Sequence, residues 1–163
     1  MTPQLTREQV WQEIEKELFA VLGMVTVHNE SRTVGIVYIV RDHKLYIGTG
    51  VESWKARHVR ENPHVSLTFP VAKRIPLMPW IKIPAATITF SGFADVQDAT
   101  DAPRDLLQAI YRGKADDQKM MADSCVIEVT PEKDFVTYGI GISLMQMRFP
   151  EKARGRVSVN GTS

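Results

Sequence analysis

The stretch SWKARHVRENPHVSLTF, Ser53 to Phe69, holds the residues best spaced for chemistry. It begins with a hydroxyl, sets Lys55 and Arg57 in what reads as a first helical turn, and ends in an apolar strand. Helix N-termini carry a partial positive charge and favour acids. Their first N–H groups also lack backbone partners. Two bases and a serine hydroxyl at such a place describe an anion site, and phosphate is the common anion there. Each charge-assisted hydrogen bond to it contributes about 1.5–3 kcal/mol. The competing reading is a solvated amphipathic helix in which Glu61 balances Arg57 at i+4.

Other reactive residue types offer less. The histidines are His28, His43, His58 and His64, and no pair has the spacing of a helical metal motif, so no metal site is expected. Gly139-Ile140-Gly141 opens like a dinucleotide fingerprint, but Leu144 stands where the third glycine belongs. Cys125 opens an expected strand and reads as a small buried residue. Asp116-Asp117 reads as a solvated loop. No residue stands out as catalytic. Lys73, Arg74 and Lys82 lie among aliphatic and aromatic residues, where they either cover a charged, ring-bearing ligand or flank a dimer contact.

The elements that must position these residues follow from periodicity. Segment 1–18 carries an N-terminal helix from Thr6 to about Leu18, with Thr6 and Gln9 as a capping box and Val10, Ile14 and Leu18 as one stripe. Strands are expected at Phe19–Val27 and Thr33–Val40, joined by the turn Asn29–Arg32, and at Leu45–Thr49 after a second turn, Asp42-His43-Lys44. A short helix from Ser53 leads to a strand at Val65–Phe69. Segment 70–84 contains Pro70, Pro76, Pro79 and Pro84, which exclude a regular helix or central strand. It is nevertheless apolar, with Trp80 at its centre, and a partner should cover it. Ala85–Val96 alternates as a sheet strand. Thr100 to about Arg112 reads as a helix with Pro103 in its first turn. Cys125–Val129 and Phe135–Tyr138 read as separate strands, and 148–163 as a basic tail that is mobile or packs on a partner. The sum is one α+β domain over 1–163: an antiparallel sheet or small barrel of six or seven strands with two or three attached helices.

Composition fits this. The 163 residues allow one domain with a real core. A net charge of +1 gives no basic field for nucleic acid. One cysteine excludes an internal disulfide. No apolar run reaches membrane-spanning length, and no signal peptide is visible, so a cytoplasmic protein without membrane association is expected.

The order hairpin, KLYIGT, SWKARHVRENPHVSLTFPV resembles the pyridoxamine 5′-phosphate oxidases, where Ser-Arg-Lys, a short helix ending Glu-Asn-x-Pro, and Val-Ser-Leu follow in turn. The wider family is the FMN-binding split barrel, and the likeness covers about Phe19 to Val96. It implies a homodimer with flavin at the subunit interface. It assigns Lys55 to the cofactor phosphate, with Ser53 opening the motif and Gly48 and Thr49 ending the nearby strand. It sets Val34, Gly35, Ile36 and Val37 along the isoalloxazine ring.

Several positions depart from the family pattern. Trp54 replaces an arginine, for which Arg57 would partly compensate. Tyr38 replaces the lysine that meets the substrate phosphate. Thr87 replaces a flavin-contacting glutamine, and the arginine-rich C-terminal segment has no counterpart. The expectation is therefore an FMN-dependent oxidoreductase acting on a small molecule other than pyridoxamine phosphate, with Tyr38, Lys73, Arg74 and Trp80 on its substrate side. The alternatives are a deazaflavin-dependent reductase, a non-catalytic flavin- or haem-binding module, or a barrel without a cofactor.

Overall fold

The computed structural model describes residues 5–75, 77, 78, 80, 81 and 83–161. Pro76, Pro79 and Lys82 of the proline-rich segment lie outside the described residues.

Helix α1 (Arg7–Lys16) starts with the expected capping box: the Thr6 hydroxyl accepts from the Gln9 N–H while the Gln9 side chain accepts from the Thr6 N–H. It ends two residues before Leu18, which is exposed. Strands β1 (Ala20–Val25) and β2 (Ser31–Ile36) form the first hairpin. The expected strand Thr33–Val40 is divided. After Val37 and Tyr38 the chain continues as β3 (Ile39–Arg41), which pairs with β4 (Lys44–Gly50) instead of β1. The break is fixed by Tyr38, whose hydroxyl donates to the Ile14 carbonyl at 2.6 Å and whose ring meets Phe69 edge-on.

Helix α2 (Trp54–Glu61) follows β4 and is seated by buried Ala56 and Val59. Strand β5 (His64–Val71) runs through Pro70. Its pairing with β1 ends at Thr68, so Pro70 sits where one side of the strand is an edge and no ladder donor is needed.

Strand β6 (Ala86–Asp98) leads into a 3₁₀ turn, Ala99–Asp101, and helix α3 (Arg104–Ile110). The expected single helix from Thr100 is interrupted because Ala102, preceding Pro103, is extended. Helix α4 (Gln118–Ala122) was not anticipated.

Strand β7 (Ser124–Tyr138) is one 15-residue strand where two were expected. Its pairing with β6 shifts register between Thr89 and Ser91, and Lys133 nearby has φ 62°. This irregularity carries the strand past its polar centre. The basic tail, expected to be mobile or to pack on a partner, is partly structured on its own chain: α5 (Pro150–Ala153) leads to β8 (Arg154–Ser158), which pairs with β7.

All eight strands belong to one antiparallel sheet in the order β2-β1-β5-β6-β7-β4-β3, with β8 also on β7. This is the expected antiparallel split barrel with peripheral helices, with more strands and helices than anticipated. Its interior is filled by Leu22, Leu45, Ile47, Leu67, Phe69, Ile88 and Phe90, with α1 adding Trp11 and Ile14. A smaller cluster around Leu107, Met121 and Val126 holds α3 and α4 to the sheet. Among the described residues no helix is long and apolar enough to cross a membrane.

Phe135 is fully buried and meets Trp11 and Phe90, each edge-on at 5.5 Å. It joins α1 to the sheet. Phe135→Ala should lower the unfolding free energy by about 3–5 kcal/mol, read as a shifted midpoint in urea denaturation. A loss below about 1 kcal/mol would show that the site collapses around the missing ring.

Candidate functional site

The turn between β4 and α2 builds a polar corner. The Thr49 hydroxyl donates to Ser53 Oγ at 3.1 Å, and the Ala56 N–H donates to the same oxygen at 3.2 Å. Ser53 therefore caps α2 as an acceptor, and its own proton is left to donate outward. The connection is held from behind: the Val51 N–H donates to the Asp123 carbonyl, and Arg60 Nη1 donates to the Val51 carbonyl at 2.8 Å.

The first turn of α2 contains no acid. Among the described residues, Lys55 and Arg57 form no ion pair. The alternative pairing of Arg57 with Glu61 is absent; Glu61 instead lies 3.5 Å from His58 Nδ1. That contact is misaligned, since Nδ1 is buried without a hydrogen-bond partner.

Lys55 faces a cavity of about 340 Å³ lined by Phe19, Gly35, Ile36, Val37, Ile47 and Gly48. The structure thus gathers Gly35, Ile36, Val37, Gly48 and Lys55, which the family resemblance assigned to a cofactor. Thr49 and Ser53 stand beside them in the corner. Val34 packs toward the core and is not in the lining. Trp54 is 41% exposed and meets His58 edge-on, outside the lining, and Arg57 is exposed on the helix. Thr87 pairs with Pro70 and Tyr138 and does not line the cavity of its own chain.

A second cavity of about 250 Å³ adjoins the first and shares Val37 and Gly48 with it. Tyr38, Tyr46, Ile110, Tyr111 and Arg112 contribute to its wall. Gly48 makes this arrangement possible: a Cβ there would overlap Ile110 Cγ2 and crowd the Tyr111 ring, so the end of α3 rests directly on the strand. Tyr111 donates to the Cys125 carbonyl at 2.9 Å. Burial pushes the Tyr38 and Tyr111 phenols up, so both stay protonated at neutral pH.

The remaining substrate-side expectations fall elsewhere. Lys73 donates to the Ile142 carbonyl at 2.6 Å, and burial lowers its pKa. Arg74 and Trp80 are exposed. None of the three lines either cavity. Their segment instead contributes Ile75, Ile83 and Pro84 to a third, apolar cavity with Tyr138, Met145, Met147 and Arg148.

Cys125 is fully buried, and that burial pushes its thiol up, which removes it as a nucleophile. Among the described residues no three of His, Cys, Asp and Glu gather as metal ligands. Sequence reading missed Phe19 and Ile47 in the first cavity and Tyr46, Tyr111 and Arg112 in the second. The α3 residues carry no local motif; only their packing on Gly48 brings them in.

Solved structures share the fold. The haem storage protein HutZ from Vibrio cholerae has a TM-score of 0.64 at 17% identity, covering 84% of this chain and 98% of that one. A conserved hypothetical protein from Mycobacterium tuberculosis has a TM-score of 0.60 at 15% identity, over 78% and 81%. An F420 reductase has a TM-score of 0.50 at 19% identity, over 74% and 90%. At these identities the likeness shows the fold alone. No curated protein matches the sequence. The family model described as pyridoxamine 5′-phosphate oxidase matches residues 6–137, which contain both cavities and the Ser53–Lys55 corner, and the chain belongs to that family.

Proposed function

We propose that the cavity between β2 and β4 binds flavin mononucleotide and that the chain is a flavin-dependent oxidoreductase acting on a small molecule. The supporting observation is the meeting of Lys55 with Gly35–Val37 and Gly48 around one cavity, beside a serine whose proton is uncommitted. Its volume of about 340 Å³ lies in the range of small-molecule sites.

In this reading the phosphate takes the α2 N-terminus, the Ser53 hydroxyl and the Lys55 ammonium. The backbone of Gly35–Val37 offers regular donors and acceptors to the polar edge of the ring. A bound flavin supplies hydride transfer. The chain's own residues bind and orient it, and among the described residues no acid or histidine lines the cavity. Haem is less well supported, since this chain's described lining residues offer no histidine, cysteine or methionine as an axial ligand. A deazaflavin offers the same ring and phosphate chemistry, and its spectrum distinguishes it.

The adjoining cavity is the substrate side. Among the described residues its one charged lining residue is Arg112, which favours a substrate with an anionic group. Tyr38 brings no cation there, and its hydroxyl is committed to Ile14. Pyridoxamine phosphate oxidation is accordingly not the activity proposed.

The protein would act as a homodimer closed over this face. Leu18, Phe19 and Val37 leave an apolar rim 79%, 47% and 59% exposed. Thr87, assigned to the cofactor by resemblance, could join the site only from a second copy.

The purified protein should show flavin absorption bands or acquire them with added FMN. Lys55→Ala should weaken FMN binding by about tenfold to a hundredfold in a titration. Undiminished affinity in that variant would falsify the phosphate assignment. Sedimentation equilibrium should give a dimer; a monomer with full FMN affinity would remove the interface from the proposal.

A further inference from the structure

Phe19 stands at the junction between α1 and β1. Its neighbour Ala20 is fully buried, whereas Phe19 keeps 47% of its surface exposed at the lip of the flavin cavity. It is the one aromatic side chain among the described residues lining that cavity.

Its position depends on Gly35. The Phe19 ring lies against the bare face of that residue: a Cβ on Gly35 would come within 2.6 Å of Phe19 Cε2 and 3.0 Å of Cζ. Gly35 has no positive φ, so the backbone does not require glycine. What glycine provides is a seat for the phenyl. Across the hairpin, Ala20 pairs with Ile36 and Val21 with Gly35, which sets Phe19 beside the strand segment that lines the cavity. Leu18, the preceding residue, lines the adjoining cavity. Consecutive side chains therefore border the two cavities, and Val37 and Gly48 border both.

A planar, largely apolar ring entering this cavity gains most from a flat aromatic neighbour. The other apolar lining side chains, Ile36, Val37 and Ile47, are branched aliphatics. Ile36 and Ile47 are buried in the sheet and cannot turn toward a ligand without disturbing the core. Phe19 is free of that constraint.

We propose that the Phe19 phenyl, seated on Gly35, is the aromatic wall of the ring subsite and packs against the isoalloxazine of the bound flavin. The inference rests on the flavin reading of the cavity. It divides the labour at the site: Ser53 and Lys55 recognise the phosphate, while Phe19 and the β2 backbone recognise the ring. Gly35 acts through Phe19. A methyl group at Gly35 meets the far end of a rotatable, half-exposed side chain, so it displaces the wall with little loss of stability.

Riboflavin carries the ring without the phosphate and separates the two subsites. The test is titration of the full chain with FMN and with riboflavin, for the parent, Phe19→Ala, Phe19→Tyr, Gly35→Ala, the double variant Phe19→Ala/Gly35→Ala, and Lys55→Ala. Thermal melts check folding. Phe19→Ala should weaken both ligands by the same factor, about fivefold to tenfold. Phe19→Tyr keeps the ring and should bind within about twofold of the parent, which also covers the case in which the alanine variant folds poorly. Gly35→Ala should weaken both ligands, and the double variant should be no weaker than Gly35→Ala, because the two substitutions act on one contact. Lys55→Ala should weaken FMN and spare riboflavin.

The proposal is overturned if Phe19→Ala binds both ligands as the parent does, or weakens FMN alone. It is also overturned if the Phe19 and Gly35 effects multiply independently. Loss of FMN in Lys55→Ala together with an unaffected Phe19→Ala leaves the flavin reading standing and removes the aromatic wall. Failure of the parent to bind either ligand removes both.

Discussion

The arrangement depends on the continuity of strand β7. Along Ser124–Val129 it holds β4 on one side, and along Asp134–Tyr138 it holds β8. On its other side it pairs with β6 nearly throughout. A strand that long with two successive partners twists strongly, and its irregularity opposite Thr89–Ser91 allows the sheet to curl without losing the ladder. The curl carries β4 and β2 to the same cavity although they are far apart in the sheet order. Without it, Gly48 and Gly35 would belong to separate surfaces.

Two close approaches then shape the site, and each needs a residue without a side chain. At Gly48 the end of α3 rests on β4 and brings Tyr111 into the second cavity. At Gly35 the Phe19 ring rests on β2. The first contact ties the second cavity to the smaller hydrophobic cluster, since Tyr46, Ile110 and Tyr111 belong to both. The second sets the outer edge of the first cavity. The sheet supplies the backbone for both, and the glycines decide what can lie upon it.

The polar corner between β4 and α2 was legible in the sequence because it is local. A serine cap, two bases and the end of a strand lie within nine residues of Thr49, and helix-terminus electrostatics needs no tertiary knowledge. The capping box at Thr6 was legible for the same reason. The division of Thr33–Val40 was not, since it depends on a change of pairing partner at Tyr38 that leaves the apolar pattern intact. The union of two short runs into β7 was hidden by the polar Pro131–Asp134 segment, which the neighbouring strands carry through. By composition Lys73 and Arg74 read as either a ligand cover or a dimer contact, and Trp80 as part of the substrate side; their segment lines a different cavity through Ile75, Ile83 and Pro84. Phe19 left a faint signal: the hairpin turn at Asn29–Arg32 fixes a register that puts an aromatic residue beside a glycine, a pairing that recurs on sheet edges.

The charge balance of α2 ties fold to function. Lys55 and Arg57 extend the positive end of the helix dipole, and no acid in the first turn offsets them. Left in water this costs a few tenths of a kcal/mol to about 1 kcal/mol, which the Ser53 cap and the burial of Ala56 and Val59 absorb. Evenly solvated bases would explain Arg57, which is exposed. They do not explain Lys55, which is half-buried, without an ion-pair partner among the described residues, and faces a cavity whose described lining holds no other charge. A partly desolvated ammonium is least costly when an anion shares its cavity. The strand ends and glycines around it leave room for a flat, polar-edged ring on the same ligand. A phosphate joined to such a ring meets both demands with one molecule, and that is the physical ground of the flavin proposal.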